Sequence, residues 1–193
     1  MRLRYILMVV ALLAPIMTFA GGGDYMLRSG DPKVVCVKGL VMGLEFDYSE
    51  CLIWDMKEDK FFSIEDYVKF RGEDWQRDLP EELRKAEEAF VEKFNDKSDY
   101  ALVSPQATSA DYTMVFKLNE FSYGRNVIWS SNQAGWATGE VIIRNKAGEK
   151  VAVYMFTKAL GDCGAGAGMF EARRQNSYEE VAKNIAKRLN KLK

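Results

Sequence analysis

The stretch from Ala110 to Ala159 constrains the chain more than any other. "ADYTMVFKLNEFSYG" (110–124) alternates Tyr112, Met114, Phe116 and Leu118 with Thr113, Val115, Lys117 and Asn119. A period of two is the mark of a half-buried strand. "GWATGEVIIRN" (135–145) and "KVAVYMFTKA" (150–159) predict two more strands, joined through "NKAGEK" by a hairpin turn centred on Ala147-Gly148. Three adjacent strands of this kind predict an antiparallel sheet with one face to bury. The link "SYGRNVIWSSNQA" (122–134) is too long for a tight turn and predicts an extended hairpin arm or an exposed loop.

Two long helices are expected to cover that face. In "DLPEELRKAEEAFVEKFNDKS" (78–98), Asp78 suits an N-cap and Pro80 a first turn, and Leu83, Ala86, Phe90 and Phe94 form one apolar stripe. In "SYEEVAKNIAKRLNKLK" (177–193), Ser177 and Glu180 form a capping box, followed by the stripe Tyr178, Val181, Ala182, Ile185, Ala186 and Leu189. Ser63, three residues before Asp66, predicts the start of a shorter helix. Segments 33–39 and 40–49 read as strands, 51–56 as a further strand or a tuck into the core, and 100–106 as a short strand. Strands grouped together with helices at separate points indicate α+β. The expected architecture is a single twisted, largely antiparallel sheet of four to five strands with two long helices packed on one face.

The first residues, "MRLRYILMVVALLAPIMTFAGGG", have the layout of a secretory signal peptide over 1–20: Arg2 and Arg4, then an uncharged apolar run, then small residues at Ala20-Gly21. The uncharged run of about 16 residues is shorter than the roughly 20 that span a bilayer. The first cysteine is Cys36, so lipid anchoring at the cleavage site is not expected. The remaining chain is read as a flexible N-terminus over 21–32 and a single domain over 33–193. Without Arg2 and Arg4 the chain carries 25 basic and 28 acidic residues, with no basic excess to hold nucleic acid. The expected product is exported, periplasmic or secreted, with no transmembrane segment after cleavage.

The chain contains no histidine, which removes Ser-His and Cys-His catalysis and the commonest zinc ligand. Cys36, Cys51 and Cys163 show no Cys-x-x-Cys spacing. Cys36 and Cys51 lie in neighbouring strand-like segments and are a candidate disulfide, with two buried free thiols as the alternative. The glycine-rich "GDCGAGAGMF" (161–170) lacks the Gly-Lys-Ser/Thr of a P-loop and does not open a βαβ unit, so it reads as a connection. Cys163 within it is the candidate reactive thiol. Arg173 and Arg174 just beyond are read as solvated, with anion binding as the alternative. Tyr123, Trp129 and Trp136 flank the long link as a candidate partner-binding surface, or as lids on the core. Asp47, Glu50 and Asp55 are the carboxylates that a glycan hydrolase would use, or the polar face of a half-buried strand and its loop. No catalytic residue, metal ligand or cofactor is assigned.

"ADYTMVFKLNEFSYG", the hairpin "GEVIIRNKAGEKVAVYMF", and the glycine loop with "SYEEVAKNIAKRLNK" together resemble small exported envelope domains. The type is that of the TolB amino-terminal domain, the curli-secretion lipoprotein and related exported proteins of Gram-negative bacteria. The resemblance covers roughly residues 78–193. It implies a non-catalytic domain that docks an envelope protein or self-associates. The alternatives are an exported carboxylate-dependent glycan hydrolase and a periplasmic small-ligand binder with an apolar pocket beside 161–170.

Overall fold

The structure is a computed structural model that describes residues 23–124, 134–161 and 170–192. In chain order the elements are β1 (Asp24–Gly30), a 3-10 turn (Pro32–Val35), β2 (Val41–Asp47), β3 (Leu52–Asp55) and β4 (Lys60–Ser63), then α1 (Ile64–Arg71) and α2 (Glu73–Lys97). β5 (Leu102–Ser104), β6 (Tyr112–Ser122), β7 (Trp136–Asn145), β8 (Lys150–Leu160) and α3 (Phe170–Asn190) follow.

The alternating stretches form the middle of the sheet, as the period of two predicts. β6, β7 and β8 pair antiparallel, and Gly148, with φ of 83°, makes the turn between the last two. The class is α+β, but the expected four to five antiparallel strands are corrected to eight in one mixed sheet, with three α-helices, among the described residues. The order is β1-β8-β7-β6-β2-β5. β2 runs parallel to the first half of β6 and β3 parallel to its last three residues, so two short strands in succession border one long one. β4 folds back on β3 as a small hairpin. The parallel pairs arise because the helices α1 and α2 intervene between β4 and β5, and a crossover of that length permits parallel return.

Several boundaries differ from expectation. Segment 33–39 is not a strand: the Asp31 carboxylate accepts from the Lys33 amide, Pro32 opens a 3-10 turn, and Val35 is buried there. The stretch expected to be a flexible N-terminus contains β1, which pairs with β8 and buries Tyr25. α1 starts as predicted, with the Asp66 amide donating to Ser63 Oγ. α2 begins at Glu73 instead of Asp78, leaving Pro80 inside the helix. Trp75 explains the extra turn, since it packs edge-on against Tyr67 and Tyr123. α3 begins two turns before Ser177, whose hydroxyl donates within the helix to the Arg173 carbonyl.

Both long helices pack on one face of the sheet. Ala86, Phe90 and Phe94 of α2 and Tyr178, Val181, Ile185 and Leu189 of α3 meet Met114, Phe116, Leu118, Val141, Ile143, Tyr154 and Phe156 in one buried core. The helices run parallel, as the pairs Glu82 with Arg174, Lys93 with Glu179 and Lys97 with Asn190 show. On the opposite face, among the described residues, Val115, Ile142 and Val153 form a small buried cluster.

Candidate functional site

Two places in the molecule concentrate chemistry. The first is a buried ionic cluster where α2, α3 and the end of β6 meet. Each helix carries one charge inside its apolar stripe. Glu82 lies between Leu79 and Ala86 on α2, and Arg174 lies one turn before Tyr178 on α3. Arg174 is fully buried. Its Nε donates to Glu82 Oε1 at 2.5 Å and its Nη2 to the Tyr123 hydroxyl at 2.6 Å, while that hydroxyl donates to Glu82 at 2.8 Å. The guanidinium stacks over Phe121 at 4.1 Å and Tyr123 at 5.1 Å. Nη1 has no acceptor among the described residues. Burial opposes the Arg174 charge, but Tyr123 and Glu82 more than compensate, and the group is held protonated well above its ordinary range. Arg173, also buried, donates to the Tyr123 carbonyl. Apart from Arg174 Nη1, the polar groups of the buried cluster engage one another among the described residues, so the cluster clamps two helices to the sheet.

Tyr67, Trp75 and Arg71 extend this cluster toward the surface. Arg71 lies 4.9 Å over the Trp75 ring and 3.8 Å from Asp55. Burial pushes the Tyr67 hydroxyl up to about 12, and it also raises Tyr123.

The second place is the open face of the sheet. Side chains alternate across a strand, so the neighbours of the core residues Ile53, Phe121, Ala137 and Ala159 point away from the helices. The ladder registers connect Phe61 to Trp54, Trp54 to Ser122, Ser122 to Trp136, and Trp136 to Leu160. One transverse row therefore crosses five strands and carries two tryptophans, a phenylalanine and a leucine. Phe61 is 40% exposed and Leu160 39%, while Trp54 and Trp136 are half-buried. Trp54 and Phe61 pack with ring centres 4.7 Å apart, and Lys158 lies over Trp136 at 6.0 Å. Beyond the next row, Leu52-Glu120-Thr138, a further parallel row is charged, with Asp47 opposite Lys117 and Lys117 opposite Glu140.

No family model and no curated protein matches the chain. Among solved structures it is similar to the PelC dodecamer from Paraburkholderia phytofirmans in two space groups. In the C2 form the TM-score is 0.44 at 12% identity, covering 85% of this chain and 98% of that one. In the P6 form the TM-score is 0.41 at 10% identity, covering 82% and 96%. A Xanthomonas campestris protein of family model DUF330 gives 0.40 at 11% identity, covering 81% and 86%. At these scores the likeness carries no functional inference, and none of it bears on the resemblance to TolB and curli-secretion domains.

The residues singled out from sequence separate widely. Tyr123 is 2% exposed and belongs to the buried cluster, so it is corrected from a surface contact to a clamp. Trp136 stands in the open-face row. Trp129 and Cys163 lie outside the described residues. Cys36 and Cys51 are both free thiols, and the candidate disulfide is corrected. The Cys36 Sγ turns to the Leu189 carbonyl at 3.5 Å, because its segment is a turn beneath α3 and not a strand beside β3. Cys51 is buried, and burial pushes its thiol up to about 11.

The three carboxylates do not form an acid/base pair. The Ser49 hydroxyl and amide hold Asp47 below the usual carboxylate range, opposite to what a general acid needs. Glu50 pairs with Lys117, and Asp55 accepts from the Lys57 and Glu58 amides in the β3–β4 turn. Arg173 and Arg174, read as solvated, are buried. The signal for them was present: Arg174 continues the stripe of α3 one turn back from Tyr178. Beside Leu160 and Gly161 lies an open groove of about 530 Å³ whose walls include Lys93, Asn176, Glu179 and Lys183. Its described lining is largely charged, and the rest of the loop beside which an apolar pocket was expected, 162–169, lies outside the described residues. Among the described residues no group of three or more His, Cys, Asp or Glu is placed to hold a metal, and no helix is long and apolar enough to cross a membrane.

Proposed function

We propose that this chain is an exported, non-catalytic envelope protein that works by contact with another protein, through the open face of its sheet. The observation that carries the reading is the transverse row Phe61, Trp54, Trp136 and Leu160. Tryptophan, tyrosine and arginine dominate interface energetics, because they bury large area at low entropic cost. Here two tryptophans stand in one register row, away from the core that needs apolar mass. The partner that fits is a protein presenting an apolar surface to the row and a carboxylate to Lys158. The signal-peptide layout of residues 1–20 supports export, and the lack of histidine and the separated carboxylates support a role without catalysis.

The test is gentle crosslinking and co-purification from envelope extracts, comparing the natural chain with Trp54→Ala and Trp136→Ala. A reproducible partner whose recovery falls at least about tenfold in both variants, with unchanged circular dichroism, is the expected result. Recovery of the natural chain without any reproducible partner, or a partner indifferent to both substitutions, overturns it.

A further inference from the structure

Among the described residues the sheet ends at three strands, β1, β4 and β5, and the β1 and β5 ends are built differently. At the β5 edge, the Asn95 side chain from α2 acts as a substitute strand: Nδ2 donates to the Val103 carbonyl at 3.0 Å and Oδ1 accepts from the Val103 amide at 2.8 Å. That edge is closed. At the other end β1 pairs with β8 on one side and, among the described residues, with no strand on the other. An unpaired strand edge is a row of backbone donors and acceptors ready for another chain.

The side chains of β1 fit one occupant in particular. Asp24 and Met26 stand in register with Thr157 and Met155 on the open face, and Arg28 reaches Glu140 on the same face. Met26 is 57% exposed and the Arg28 side chain 61%. In an antiparallel pairing of β1 with a second β1 centred on Met26, Met26 meets Met26. Asp24 then faces the second copy's Arg28 on both sides of the axis. On the helix-facing side Leu27, which is 39% exposed, meets Tyr25. A two-fold contact must be complementary to itself, and this five-residue segment has opposite charges at equal distances from its centre.

We propose that β1 is a self-association edge, at which two copies of this chain join antiparallel about Met26 into one continuous sheet. This does not depend on the open-face reading, since the edge and the aromatic row are separate surfaces with separate variants.

The experiment is analytical ultracentrifugation of the chain purified after export, over a concentration series. The natural chain sediments as a dimer. Asp24→Arg alone and Arg28→Asp alone each set like charges opposite one another twice, and each raises the dimer dissociation constant at least about tenfold. An equimolar mixture of the two variants restores the dimer, because both contacts of the mixed pair again carry opposite charges. Met26→Lys sets two ammonium groups on the axis without touching Glu140, and it replaces Arg28→Asp if the latter lowers the melting temperature. A monomer at every concentration overturns the proposal. So does a dimer indifferent to these substitutions, or a mixture no better associated than either variant alone.

Discussion

Glu82 and Arg174 are a single carboxylate and a single guanidinium, each set in an otherwise apolar helix stripe. Either alone in the core is costly, and together with Tyr123 they satisfy nearly all of each other's valences. Removing one partner of such a pair leaves an uncompensated buried charge, which costs about 3–5 kcal/mol. Glu82→Gln is therefore expected to lower stability by about that amount in urea unfolding. Glu82→Leu with Arg174→Met is expected to recover most of the loss. A double variant no more stable than Glu82→Gln would mean that the clamp works through shape and not charge. The pair was partly legible: a charge recurring at core spacing in both stripes is a pairing signal. It was hidden because Ser177 and Glu180 resemble a helix start so closely that Arg174 falls outside the predicted helix.

At the scale of elements, local signals and tertiary contacts disagree at the start of α2. Asp78 and Pro80 read as a cap and first turn, and Glu73–Arg77 extend the helix past them. Pro80 is exposed, so the Gln76 carbonyl that lacks its donor faces water. A proline in a helix interior costs up to about 3 kcal/mol. Pro80→Ala is expected to raise the melting temperature by several degrees, and an unchanged or lower value would show that Pro80 is not a burden on the helix. The central strand was legible because the period of two runs from Tyr112 to Leu118 before the bulge between Leu118 and Glu120 interrupts it. β4 was not, since Lys60–Ser63 is too short to display a period and takes its conformation from pairing with β3. The parallel bordering of β6 by β2 and β3 has no local signature at all: partner choice across more than sixty residues is set by packing.

For the whole molecule, the ionisable core makes a prediction about alkali. Burial raises the hydroxyls of Tyr48 and Tyr25, and it pushes Tyr67, Tyr154 and Tyr178 up to about 12. Below about pH 10 these groups are protonated in both folded and unfolded chains, and their contribution to stability is complete. Above it the unfolded chain releases protons that the folded chain keeps, so stability falls as pH rises through the folded values. Tyrosinate absorbance is expected to rise in one cooperative step with loss of the far-ultraviolet signal. A smooth titration of all tyrosines at about pH 10 with the fold intact would contradict the buried placement.

The Asn95 contact to β5 has a bearing on solubility. Sheets with two receptive edges can add copies without end, the route to fibres. Here a side-chain amide terminates the β5 margin, so among the described residues an added strand has only the β1 and β4 margins to meet. A β1 that met its own twin about a two-fold axis would consume its margin in both copies. On that arrangement Asn95, one residue on a neighbouring helix, removes one of the routes by which a protein with long apolar strands could add copies in line.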